Sequence, residues 1–214
     1  MALSKVNFNS MNVTPSASKA IKFNSSNNGL ETGDIGGSLV LISEQTASSS
    51  ANISFTSGID STYKEYIFKF IDIHPSGTNT ELDVTFSSNG GSSYGIAKTT
   101  TAFYALHNEA DSTTTLTYST GTDLAQSTSA KNLMVNVGDG NDESGAGTMH
   151  LFNPSSTTFV KHFIANVNIY DEGAQTVNRY TAGYVNTTSA INAVKFSMSS
   201  GNIDAGTIKM YGVS

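Results

Sequence analysis

Cysteine is absent from the 214-residue chain, so neither disulfides nor thiolate metal sites can hold it together. Stability must then come from core burial, ladder hydrogen bonds and contacts between subunits. Proline is scarce as well, with 3 residues against 19 glycines, and charged residues make up only 13%. Polarity resides instead in long runs of Ser, Thr and Asn, a composition that suits strands and tight turns better than helices. The 11 basic residues form no cluster and are outnumbered by 17 acidic ones, for a net charge of -6. Binding to a nucleic-acid backbone needs a concentrated Lys/Arg surface, so no nucleic-acid partner is expected. No stretch approaches the roughly 20 apolar residues of a membrane span, and Met1 to Asn7 lacks the apolar core of a leader, so no membrane partner is expected and the chain is read as soluble.

What is present is organised around Tyr63 to Pro75. Counting by twos from Tyr66 puts Phe68 and Phe70 on one face and Ile67, Ile71 and Ile73 on the other, interrupted by Lys69. A strand apolar on both sides belongs in the middle of a layered β structure, and Pro75, which cannot donate to a ladder, marks its end.

Weaker strands surround it. Gly37 to Ser43 and Asn52 to Thr56 flank a serine-rich loop, and Leu82, Val84 and Phe86 alternate with polar residues before Asn89-Gly90, a hairpin signal. These consecutive elements read as an antiparallel meander. Thr99 to Leu106 carries β-branched and aromatic residues on both parities, and Thr114, Leu116 and Tyr118 share a face. Further alternating sets are Leu133, Val135 and Val137; Phe163, Ala165, Val167 and Ile169; Val194, Phe196 and Met198; and Ile208 and Met210. Met149 to Phe152 precedes a turn at Asn153 to Ser156. About ten strands of ordinary length and no convincing helix predict an all-β fold, an antiparallel two-sheet β-sandwich of jelly-roll type. Residues 36–214 are expected to form one such domain. Residues 1–35, with one strand-like island at Ala20 to Phe23, are expected to be an N-terminal arm that docks on a partner.

Several segments carry a resemblance: Thr46 to Tyr63 (Thr-Ala-Ser-Ser-Ser-Ala-Asn-Ile-Ser-Phe-Thr-Ser-Gly-Ile-Asp-Ser-Thr-Tyr), Ile71-Asp72-Ile73-His74-Pro75, His150-Leu151-Phe152-Asn153-Pro154-Ser155-Ser156, and Met198 to Gly212. They resemble a family of virion structural proteins from marine bacteriophages, especially phages of cyanobacteria. The likeness spreads over about residues 40–213 and leaves the first 35 unmatched. It implies a non-enzymatic component of the phage particle, assembled in the host cytoplasm, with no catalytic residues to carry over. A short chain without a coiled-coil or collagen-like stalk suits capsid decoration, on the major capsid or tail protein, with a homo-oligomer, a trimer by expectation, covering the sheet edges. The alternative is a tail-fibre or tail-tip module that recognises a host surface glycan.

Asp72 and His74 share a strand face, but no Gly-x-Ser-x-Gly elbow accompanies them, so His74 is read as bonding a turn and no catalytic residue is expected. His150 and His162 can approach across the Pro154 turn, yet no third ligand is evident, and zinc needs three or four. Asp139-Gly140-Asn141-Asp142-Glu143-Ser144 gathers oxygen ligands but departs from the calcium-loop alternation, and is read as a solvated acidic turn. No metal and no cofactor is therefore expected. Tyr63, Tyr94, Tyr104, Tyr118, Tyr180 and Tyr184 fall at strand ends and loops, where capping of the core is favoured over recognition.

Overall fold

The computed structural model describes residues 13, 14, 16, 19–33 and 38–214. The chain divides into two units, Met1–Ser38 and Leu39–Ser214. In the first, β1 (Ala20–Phe23) and β2 (Leu30–Gly33) form an antiparallel hairpin. Its loop is closed locally: the Asn24 amide donates to Asn28 Oδ1 (2.9 Å), and Asn27 supplies the left-handed turn residue (φ 55°). Phe23 on this hairpin is exposed. Residues 1–12, 15, 17, 18, 34 and 35 of the expected arm lie outside the described residues.

The second unit is all antiparallel β. Its strands are β3 (Leu39–Thr46), β4 (Ile53–Phe55), β5 (Glu65–Pro75), β6 (Thr80–Ser87), β7 (Lys98–Asn108), β8 (Thr114–Tyr118), β9 (Leu124–Ser127), β10 (Lys131–Val137), β11 (Gly145–Phe152), β12 (Lys161–Asp171), β13 (Gln175–Val185), β14 (Ala193–Met198) and β15 (Ile203–Val213). One layer runs β3-β15-β5-β11-β12-β13-β7, with β8 and β9 both pairing the far side of β7. The other runs β10-β6-β14-β4. They are joined through a single residue pair, Val137 with Asp171, between β10 and β12. The result is a sandwich-like fold bent almost into a barrel, of the expected class. It has thirteen strands rather than about ten, because β9 and β13 left no readable alternation.

The chain changes layer at most connections, which corrects two expectations. Strands β4, β5 and β6 are not neighbours, so the meander does not form. Nor does Asn89-Gly90 close a hairpin: β6 pairs with β10 and β14, while the segment 88–97 carries the chain across to β7. Gly90 and Gly91 do adopt positive φ (68° and 87°), so the turn chemistry is used, in a crossover instead.

The central strand is β5, paired on both sides along its length by β15 and β11. Tyr66, Phe68, Phe70 and also Ile73 are buried inward, although parity alone places Ile73 on the other face. The reason is a bulge: Asp72 takes φ 51°, and the register against β15 slips between Ala205 and Thr207. Gly206 permits it, since a Cβ there would lie 2.5 Å from the Asp72 carbonyl oxygen. Outward, Ile67 and Lys69 are half-buried and Ile71 is exposed, so the strand is covered on one face only. A second irregularity affects β10, where Asn136 (φ 58°) and two register shifts turn Val135 off the face of Leu133 and Val137.

Between the layers the core is aromatic. The Phe196 ring on β14 lies 5.2 Å from Phe70, 5.4 Å from Phe68 and 6.3 Å from Phe55, all edge-to-face. Phe86 on β6 meets Phe163 on β12 at 5.2 Å. Such contacts add about 0.5–1.5 kcal/mol each beyond the area they bury.

Candidate functional site: the outer face of the large layer

Alternation along β12, β13 and β7 delivers an unusual outer surface. Register places Ile164, Ala182 and Thr101 in one cross-strand row, and Asn166, Tyr180 and Phe103 in the next, with Tyr118 of β8 beside Phe103. The Phe103 and Tyr180 rings stack 5.0 Å apart and 10° from parallel. Solvent exposure along this patch runs from 39% at Tyr180 through 48% at Ile164 to 76% at Leu116. Large apolar groups gathered on one sheet face, rather than scattered, mark a surface that something covers.

Beside the stacked pair lies an open trough of about 580 Å³. Thr101, Ala182 and Gly183 leave its floor low, and Phe152, His162 and Tyr184 line it. His162 meets Tyr184 edge-on at 6.2 Å. The trough is thus a depression between aromatic walls with little charge in it.

At the far side of the patch stands β8, Thr-Thr-Leu-Thr-Tyr, every residue of which is exposed. Among the described residues it pairs with β7 alone, which leaves its second edge without a strand partner. Edge strands are ordinarily shielded by lysine, proline, a bulge or a covering loop. The β8 sequence has no lysine and no proline, and its ladder to β7 runs without a register shift.

The residues singled out from sequence distribute as follows. His74 Nδ1–H donates to the Glu143 carbonyl oxygen (2.7 Å), tying the bulged end of β5 to the acidic turn, while Asp72 sits exposed on the bulge. In that turn the Glu143 carboxylate folds back to accept from Gly140 N–H (2.7 Å). His150 and His162 both lie on the outer face but not opposite one another: His150 pairs with Ile164 and bonds Glu65 Oε1 through Nδ1 (2.6 Å). No group of three or more His, Asp or Glu placed to hold a metal occurs among the described residues. Of the tyrosines, Tyr118 and Tyr180 are exposed on the patch, and Tyr184 lines the trough. Tyr63 packs edge-on against Tyr66 (5.9 Å), Tyr94 lies under the Lys195 ammonium (4.7 Å), and Tyr104 points inward beside Arg179. Phe103 and Ile164 were missed as surface residues, because apolar side chains in a strand read as core. Comparison with known protein families, with curated proteins and with solved structures finds no match.

Proposed function

We propose that this chain is a non-enzymatic structural protein of a bacteriophage particle, a decoration protein that docks on a neighbouring virion protein. The observation that carries the docking role is the open, unshielded edge of β8 running into the apolar patch of Leu116, Tyr118, Phe103 and Tyr180. A strand from the partner that adds to this edge gains main-chain hydrogen bonds, while alternate side chains seat on the patch. The resemblance in the segments Thr46 to Tyr63 and Met198 to Gly212 supplies the particle as the setting, and a cysteine-free chain suits assembly in a reducing cytoplasm.

Labelling of intact particles tests this. Many copies over the shell support decoration; a few copies at the tail tip overturn it. Leu116→Lys, at an exposed position on the edge, is expected to abolish incorporation into particles while leaving thermal unfolding unchanged.

A second reading, recognition of a host surface glycan from a tail fibre or tail tip, draws on the stacked Phe103–Tyr180 pair and the low-floored trough beside it. Flat aromatic walls offer sugar rings an apolar face. Retention on host envelope glycans, lost in Tyr180→Ala, would favour it.

A further inference from the structure

The opposite, inward face of β13 carries charge where a core residue belongs. Arg179 is 2% exposed. Its Nη2 donates to Ser119 Oγ (3.1 Å) and to Thr122 Oγ1, whereas its buried Nε has no partner. No carboxylate forms an ion pair with it among the described residues. A second buried cation, Lys131, donates from Nζ to the Thr122 carbonyl (2.6 Å), so both side chains converge on one threonine. Burial pulls both below their ordinary pKa, Lys131 to about 8, where Arg179 adds to the fall and Asp123 and Asp83 oppose it. A guanidinium withdrawn from water with a free donor is costly unless an anion meets it.

Beside Arg179 is a cavity of about 280 Å³ where the layers part beyond the Val137–Asp171 junction. It is walled by Tyr104, Asn136, Gln175 and Val177, with half-buried side chains at its rim. Asp171 lies there too. Its Oδ1 already accepts from Gly173 N–H (2.8 Å) and from the Gln175 amide (2.8 Å). The cavity is thus polar in a graded way: a cationic group, two amides and a phenol, an apolar wall, and an acceptor-only carboxylate.

We infer that this cavity binds a small hydroxy-carboxylate, a sugar acid of the uronic type, with its carboxylate on Arg179 and its hydroxyls toward Asn136, Gln175 and Asp171. With Nη2 engaged by Ser119 and Thr122, the guanidinium has Nε–H as its unpartnered donor, and a charge-assisted bond from it to one carboxylate oxygen is the anchoring contact. Phosphate calls for several converging donors, and here the second cation is turned toward Thr122. Asp171 repels a second carboxylate and accepts from a hydroxyl, which orients the ligand and disfavours simple diacids. The volume falls below the range usual for drug-sized ligands, so one ring fits and an oligomer does not. The site is on the inner face and depends on neither docking reading.

The test uses the whole chain labelled with nitrogen-15, following the Arg179 Nε resonance as sodium glucuronate is added, with glucose, acetate and inorganic phosphate as comparators. Glucuronate is expected to shift this resonance saturably, with glucose and acetate at least about tenfold weaker. Arg179→Gln should weaken binding by about ten- to a hundredfold, the range for a hydrogen bond to a charged group. Gln175→Ala should weaken it severalfold while the Arg179 signal persists, which separates loss of a contact from loss of fold. Leu116→Lys should bind glucuronate as the parent does, so failure of docking and failure of this site are distinguishable. No saturable shift with glucuronate, tighter binding of phosphate, or equal binding of glucose that survives Arg179→Gln would each overturn the inference.

Discussion

Between β5, β14 and β4 the interior is filled by four phenylalanine rings in edge-to-face contact, whereas between β13, β7 and β10 the same interior holds Lys98, Lys131 and Arg179, the last of them beside a cavity. Both regions come from alternating strands that face one another across one core. Their energetics are opposed. Each ring at the first end gains contacts with its neighbours, while the cations at the second were withdrawn from water for neutral oxygens: Lys98 Nζ reaches the Ile96 carbonyl (3.1 Å), Lys131 Nζ the Thr122 carbonyl (2.6 Å) and Arg179 the Ser119 and Thr122 hydroxyls. Stability alone would place aliphatic residues there, because exchanging buried charge for well-packed hydrophobes is often neutral or stabilising by 1–4 kcal/mol. The aromatic end therefore holds the fold, and the cationic end is retained at a cost to it.

The sharpest way to break this comparison is at Phe196, which touches three rings. Phe196→Ala is expected to lower the free energy of unfolding by about 3–5 kcal/mol, read as a fall in the urea midpoint at constant slope. A loss under about 1 kcal/mol would mean that the layers do not press on one another through this cluster.

The cationic end should reveal itself in the pH dependence. Burial is the main reason that the Lys98 ammonium is pulled down to about 8, and the same holds for Lys131. Between pH 8 and the ordinary lysine range the unfolded chain therefore binds more protons than the native one, so stability rises with pH there. Asp83 has the opposite sign: burial pushes it up to about 6, partly offset by the Asn132 amide, so the native state binds the extra proton and stability falls from pH 4 to 6. These groups set a shallow minimum between about pH 6 and 8. Thermal unfolding is expected to show it, with a gain of about 1–3 kcal/mol from pH 8 to 10 that Lys98→Met reduces. A transition temperature falling steadily over pH 8 to 10 would refute the assignment of Lys98 and Lys131 as cations destabilised by burial.

How much of this was legible follows the same division. Where alternation placed apolar residues inward, as in Phe163, Ala165, Val167 and Ile169, sequence and burial agree. The class of fold followed from such strands and from turn chemistry. Strand β13 was missed because its pattern is inverted: Arg179 and Thr181 point inward, and Tyr180 and Ala182 outward. Pairing partners were also hidden, since which strand lies beside β5 depends on contacts far away in sequence, and neither the Asp72 bulge nor the slip in β10 has a local signature. The patch and the cavity lie on opposite faces of this one strand, as expected if local rules are broken where function is placed.

The smallest effect on stability, and the most pointed contrast with Phe196, is expected at Phe103. Its ring is 44% exposed and, among the described residues, stacks on Tyr180 alone. Phe103→Ser removes that stack and little buried area, so unfolding should change by no more than about 1 kcal/mol. The same substitution deletes the centre of the outer patch. If the patch is covered in the assembled particle, sedimentation of Phe103→Ser with its partner should show lost association at an almost unchanged transition temperature. An unfolding loss approaching that of Phe196→Ala would show instead that Phe103 serves the fold, and that the outer face is core of a kind rather than a surface for docking.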